Sequence, residues 1–354
     1  MSYGPSVPPR GNLMVSLACV WKTDTSVLFG VEEHEGIFVF ENVAKNQHYV
    51  WKHYLLAWAV GDRVTCRRQR DRSTITTNPK NIASSRYFYE LAEFSDLELQ
   101  YLDNVAKRSR TELGRKVNGN FVDMFTVTTK LRRLVASLPP RDDETRAQTE
   151  ELLRNAERGL GESWHVLIEH KGTPYLDRLR TGDASFWTDA DEAIDFCFFL
   201  GAQFTRTARM SKAVRTVELP LGLDLARLWP LESHMWGTEI GAGFMQNRAT
   251  TQATILTNET SVPFITGDQP IINLQPQADP KSVFYYPITP KIALRLTIAE
   301  PGCSVSTETV SQFEAERLNH QMFEWSDDQI YGVDGDYLEA MTNLPKTERF
   351  YADC

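Results

Sequence analysis

No apolar run in the 354-residue chain approaches the ~20 residues that span a bilayer, so no membrane partner is expected. Cysteine is scarce: five residues, at 19, 66, 197, 303 and 354, none close to another. That scatter gives no disulfide framework and no Cys–His zinc spacing. It fits free or buried thiols in a reducing compartment, and a cytoplasmic location is the expectation. The start lacks a basic segment running into an apolar core, so no secretory signal is expected. A G-x-x-x-x-G-K-[ST] loop, a G-x-S-x-G elbow, an H-E-x-x-H pair and an EF-hand loop are all missing. P-loop ATP hydrolysis, α/β-hydrolase serine chemistry and zinc proteolysis therefore lose their basis, and no cofactor or metal is expected. Repeats, low-complexity blocks and a clear interdomain linker are absent too.

What is present is the composition of a globular protein, with 42% hydrophobic and 24% charged residues. The formal charge of −9 repels duplex DNA unless basic residues cluster. One cluster exists: Arg63, Arg67, Arg68, Arg70 and Arg72. It reads either as a charged strand edge that blocks unwanted pairing or as a phosphate-facing patch.

The stretch Asn46 to Trp58 organises the rest of the reading. Val50, Trp51, Tyr54, Leu55 and Trp58 recur at helical spacing, which predicts a helix over about 47–60 headed by His48 and Tyr49. Before it, strands are expected at 13–21, 27–29 and 37–40, with an acidic turn around His34. This makes an N-terminal β appendage over 1–44 and a main domain over 45–354. Paired strands follow at 64–69 and 73–77. Ser95 and Glu98 form a capping-box pattern that opens a helix to about 110. Further helices are expected over 122–138 and 143–158, the latter ending at Gly159 and Gly161. Short helical pieces at 164–170 and 176–180 are broken at Gly172 and Pro174. His165 and His170 do not share a helical face and are not a metal pair.

The strongest helix is expected over 190–214 and is apolar nearly all round in its first half, as a buried helix is. Another should run over 221–235, after which Gly237, Gly241 and Gly243 loosen the chain. Short β-prone runs then recur at 253–257, 262–266, 271–274, 283–286 and 292–298. A helix over 309–325 and an edge strand over 349–352 close the chain. The fold class is α+β: a helical middle, a mostly antiparallel C-terminal sheet and the β appendage.

Several blocks carry a resemblance. Gln47-His48-Tyr49-Val50 with Tyr54-Leu55 resembles the opening signature of the DUF4238 family, although Trp51 stands where that family usually has proline and Leu56 where it often has arginine. Gln203 through Arg206-Thr207 resembles its Gln-x-x-Arg-Thr helix. Phe264-Ile265-Thr266-Gly267-Asp268-Gln269-Pro270 resembles its F-I-T-S-D-N-P turn. Pro287-Ile288-Thr289-Pro290 with Ala293-Leu294 resembles its P-L-S-P strand, and Leu318-Asn319 its late L-N helix. These blocks keep the family order over roughly 46–331. The resemblance implies no activity.

The dispersed polar set within these blocks is His48, Tyr49, Gln203, Arg206, Asp268 and Asn319. If it converged, His48 could move protons, with Asp268 orienting it. Arg206 could clamp a phosphate, while Tyr49, Gln203 and Asn319 positioned the ligand. Bland alternatives stand beside these roles: an arginine satisfied by carbonyls or a carboxylate, and an aspartate that caps its turn. Three readings stay open. The set could serve a metal-independent phosphoester hydrolase or nuclease acting on a nucleotide or single-stranded RNA, in the manner of an intracellular effector. It could instead form a non-catalytic nucleotide- or anion-binding module, or a buried polar network that fixes the fold.

Overall fold

The protein is described from a computed structural model over residues 19–21, 36–38, 43–139, 142–275, 282–298 and 304–343. Strands β1 (Cys19–Trp21) and β2 (Gly36–Phe38) pair antiparallel, in keeping with a β appendage. The expected strand at 27–29 and edge strand at 349–352 lie outside the described residues.

The 47–60 stretch is not one helix. It divides into β3 (Asn46–His48), a single turn α1 (Lys52–Leu55), a 3-10 turn (Leu56–Trp58) and β4 (Ala59–Val60). Strand β3 pairs with β7 (Ser84–Arg86), His48 opposite Ser84. The apolar residues that suggested a long helix span only about two and a half turns, too few to hold a helix by themselves, and β7 claims as a strand the residues that would have headed it.

Strands β5 (Arg63–Arg68) and β6 (Thr74–Thr77) form the expected hairpin. Helix α2 (Asp96–Lys107) starts at the Ser95–Glu98 capping box. The segment expected as 122–138 is two helices, α3 (Glu112–Phe125), capped by Thr111, and α4 (Val127–Ser137), which meet at Thr126.

The pieces expected between 143 and 180 are one 38-residue helix, α5 (Asp143–Arg180), running through Gly159, Gly161, Gly172 and Pro174. Its glycines serve close packing rather than termination. A Cβ at Gly172 would sit 2.1 Å from the Phe199 ring. The expected 190–214 helix breaks at Arg206 into α6 (Ala190–Thr205) and α7 (Ala208–Ala213), with Thr207 capping the second. Helix α8 (Leu225–Gln246) passes through Pro230 and through the glycines expected to loosen the chain.

Those glycines let α6 and α8 approach backbone to backbone. A Cβ at Gly201 would lie 2.1 Å from the Gly237 carbonyl oxygen and 3.2 Å from Gly241 N.

The C-terminal part is mainly sheet, as expected. Strands β8 (Thr251–Thr257), β9 (Thr266–Gly267), β10 (Ile272–Asn273), β11 (Val283–Pro287), β12 (Ile292–Ile298) and β13 (Ser304–Thr309) follow in turn. One sheet has the order β10-β11-β12-β8-β13, antiparallel except where β13 runs parallel to β8. After α9 (Gln312–Trp325), strand β14 (Gln329–Gly332) lies between β5 and β9 in a second sheet, and α10 (Gly335–Thr342) follows. β14 is decisive for the site. It places the arginine-rich β5 on one side and the Thr266-Gly267-Asp268 segment on the other.

Because only backbone faces backbone where α6 crosses α8, a methyl at Gly201 must push the helices apart. Gly201→Ala should destabilise the fold by about 3 kcal/mol, read as a lower urea midpoint with an unchanged slope. Gly119, where an added Cβ meets nothing within 4 Å, provides the control: Gly119→Ala should not destabilise.

Candidate functional site

Apart from Tyr49, the signature residues line no open cleft; they stitch elements together. Gln47 Oε1 accepts from Tyr89 N at 2.9 Å, and its Nε2 donates to the Arg158 carbonyl at 2.5 Å. The His48 carbonyl accepts from Tyr89 Oη at 2.9 Å and from Arg206 Nη2 at 2.5 Å. Arg206 also donates through Nε to Tyr89 Oη at 3.0 Å and through Nη1 to Glu169 at 2.5 Å. At 2% exposure this arginine is sealed. The geometry is that of a guanidinium satisfied by a carbonyl and a carboxylate, not of a clamp presented to solvent. Burial lowers the basicity of the His48 imidazole, against backbone hydrogen bonds at Pro79 and Lys80 that favour the cation; the Arg206 charge lowers it further. Its Nε2 is buried without a hydrogen-bond partner.

Asp268 is fully buried. Oδ1 accepts from Asp327 N at 2.6 Å, and Oδ2 from Asp328 N at 2.7 Å and Gln329 N at 2.8 Å. The aspartate therefore caps a turn distant in sequence and fixes the start of β14. Burial, reinforced by the nearby Asp327, pushes its carboxyl up to about 6, while the three N–H donors oppose that rise. Thr207 donates to Gln269 Oε1, and Gln269 Nε2 donates to the carbonyls of Phe204 and Ile271. Asn319 accepts from Ile265 N at 3.0 Å and donates to the Pro263 carbonyl at 2.9 Å, pinning α9 to the strand before Asp268. Gln203 is 2% exposed, with Nε2 unpartnered.

Beside this seam lies an open cleft of about 700 Å³. Of the six sequence-derived candidates, Tyr49 alone is among the described residues that line it. Tyr49 and Phe88 form part of its floor, with ring centroids 5.2 Å apart. Burial raises the Tyr49 phenol well above its ordinary range, and the charges of Asp268, Asp328 and Asp327 add to the effect.

Cations edge the cleft from two sides, Arg68 and Arg70 from the β5–β6 end and Lys212 and Arg215 from α7 and the turn after it. Lys212 pairs with Asp327 at 2.5 Å and Arg70 with Asp328 at 3.5 Å. Arg68 reaches Asp71 at 3.5 Å, but its Nε is buried without a partner. Arg215 is exposed and has no hydrogen-bond or ion-pair partner among the described residues.

The basic run therefore splits between scaffold and cleft edge. Arg67 is buried and donates to the Arg72 carbonyl at 2.5 Å and to Thr74 Oγ1 at 3.1 Å, so it locks the hairpin, while Arg68 and Arg70 face the cleft. The strained backbone of Ala83, at φ +52°, also lies in the lining. Lys212 and Arg215 were missed from sequence. Their spacing, just after Arg206-Thr207, is the signal that a cationic helix edge follows the buried segment.

Deeper in the helices, His165 and His234 lie ring to ring at 4.9 Å, and Tyr89 packs on His165 at 4.4 Å. Neither ring nitrogen of His165, nor Nε2 of His234, has a hydrogen-bond partner. A small cavity of about 20 Å³ borders His234, room for about one water molecule. Among the described residues no group of three or more His, Cys, Asp or Glu is arranged to hold a metal ion.

Two outcomes follow. Arg206→Lys keeps the charge but cannot reach His48, Tyr89 and Glu169 together. Urea unfolding should report a stability loss of roughly 2–3 kcal/mol. Burial, with the Arg206 charge, holds the His234 imidazole down at about 3. The folded state thus keeps this ring neutral while the unfolded chain protonates it below about 6.5. Its contribution is complete above that pH and is lost as pH falls toward the folded value. At pH 5 it should cost about 2 kcal/mol, and His234→Phe should flatten the fall of stability between pH 6.5 and 4 by about one proton's slope.

No curated protein and no solved structure matches the chain. No helix among the described residues is long and apolar enough to cross a membrane. The family comparison is positive: the pattern of DUF4238, described as a protein of unknown function, matches residues 46–336. That span holds every stitching residue described above and the whole cleft, and the chain belongs to the DUF4238 family.

Proposed function

We propose that the cleft binds a phosphate-bearing ligand, a nucleotide or a short single-stranded RNA, and acts as a binding module rather than a hydrolase. The observation that carries this reading is the exposed Arg215, without a partner among the described residues, beside Lys212, Arg68 and Arg70 and above an aromatic floor. Cationic edges with an aromatic platform suit a phosphate joined to a flat base. The overall charge of −9 argues against a duplex.

The hydrolase alternative needs an imidazole within hydrogen-bond reach of the reacting phosphate. His48 is not among the described residues lining the cleft, and Arg206 and Asp268 are committed to the scaffold. Nothing in the cleft's described lining replaces that imidazole.

Fluorescence-anisotropy titration of a labelled single-stranded oligonucleotide tests the proposal. Arg215→Ala should weaken binding about fivefold and make the salt slope shallower by about 0.7, the release expected for one phosphate contact on a single strand. His48→Ala should bind as the wild type does, with neither protein cleaving the strand. Unchanged affinity in Arg215→Ala would remove the binding reading. Cleavage by the wild type that His48→Ala abolishes would restore the hydrolase.

A further inference from the structure

The cleft floor contains a hydrogen-bond polarity that the lining alone does not reveal. Gln329 lies at the base of the cleft, and its amide can stand only one way round. Its Oε1 faces Ala83 N at 3.3 Å, and a backbone N–H can only donate. The same oxygen accepts from Tyr331 Oη at 2.9 Å and from Cys66 Sγ at 3.7 Å. Its Nε2 is therefore turned to Tyr49 Oη at 3.2 Å, and the phenol oxygen is the acceptor of that bond. The phenol hydrogen is left over, and no acceptor for it exists among the described residues. Tyr49 is 7% exposed, so this donor is held rather than freely solvated.

The surroundings decide what such a donor meets. Asp268, Asp327 and Asp328 all act on the Tyr49 phenol, so a phosphate is disfavoured on the floor, whereas the cations stand at the edges. The Phe88 ring beside Tyr49 offers an apolar face to a flat, neutral group.

Resting on the reading of the cleft as a phosphate-ligand site, we infer that its floor is a nucleobase subsite. There the Tyr49 hydroxyl donates to a ring carbonyl or ring nitrogen of the base, and Gln329 is the positioning residue that fixes this direction.

Calorimetric titration with two probes, uridine 5′-monophosphate and ribose 5-phosphate, tests it. The wild type should bind the nucleotide more tightly than the sugar phosphate. Tyr49→Phe should lose about fivefold for the nucleotide, the size of one neutral hydrogen bond, with ribose 5-phosphate unchanged. Gln329→Glu keeps acceptors for Ala83, Tyr331 and Cys66 but recaptures the Tyr49 hydrogen. It should reproduce the same selective loss, and the double variant should lose no more than either single one.

Equal nucleotide affinity in Tyr49→Phe would overturn the subsite. An equal loss for both probes would overturn it as well, by placing phosphate on the phenol. A loss for both probes in Gln329→Glu alone would reduce Gln329 to a structural part. Tight binding of both probes with no preference between them would defeat the base subsite while sparing the phosphate cleft, whereas binding of neither would defeat both. Should Gln329→Glu fail to fold, the Tyr49→Phe comparison decides alone.

Discussion

The fold turns on one buried cation. Arg206 sits where α6 ends, and its guanidinium joins the His48 carbonyl, the Tyr89 hydroxyl and the Glu169 carboxylate. Those partners come from β3, the segment after β7 and the middle of α5. A buried charge is tolerable only when paired and hydrogen-bonded, so these elements must be placed together or not at all. The same requirement shapes its neighbours. Thr207 both caps α7 and donates to Gln269, and Asp268 next to it gathers three N–H groups at the start of β14. The result is a polar seam that ties the helical half to the sheets. Its strength depends on every member being satisfied.

The cleft is a consequence of that seam. Asp268 orients the turn that presents Asp327 and Asp328, α7 begins at the residue after Arg206 and Thr207, and β3 brings Tyr49 to the floor. Residues that look functional by type are thus consumed in holding the site's walls, and the side chains that face the opening are mostly less distinctive ones. Lys212 and Arg70 are each engaged by an aspartate of the same turn, which leaves Arg215 as the exposed cation with no partner among the described residues. A ligand phosphate would compete with those aspartates for the other cations, a built-in limit on indiscriminate anion binding.

Much of the architecture was legible because its signals are local. The short β-prone runs between turns mark the C-terminal sheet, and Ser95 with Glu98 marks a helix start that the side chains then realise. What was not legible depends on distant partners. Gly172 and Gly237 read as helix breakers, yet they sit inside helices because Phe199 and the Gly201 backbone press against them. The His48 stretch reads as a helix, yet Ser84 to Arg86 supply a strand partner. The importance of Arg206 and Asp268 was visible in their types and family blocks, but their roles were not. No local pattern announces that the donors to Asp268 come from residues 327–329. Tyr49 was found from the family block, whereas Gln329 became visible only through the bonds that orient it.

The most direct test of the separation between scaffold and site is hydrogen–deuterium exchange of the full chain, with and without a saturating single-stranded oligonucleotide. Added protection should be confined to the cleft walls, at residues 68–70, 81–88, 211–215 and 327–329, with the amides around Glu169 and His234 unchanged. Protection centred instead on residues 162–169 and 203–206, with none at 211–215, would contradict it and return Arg206 to the role of a ligand clamp.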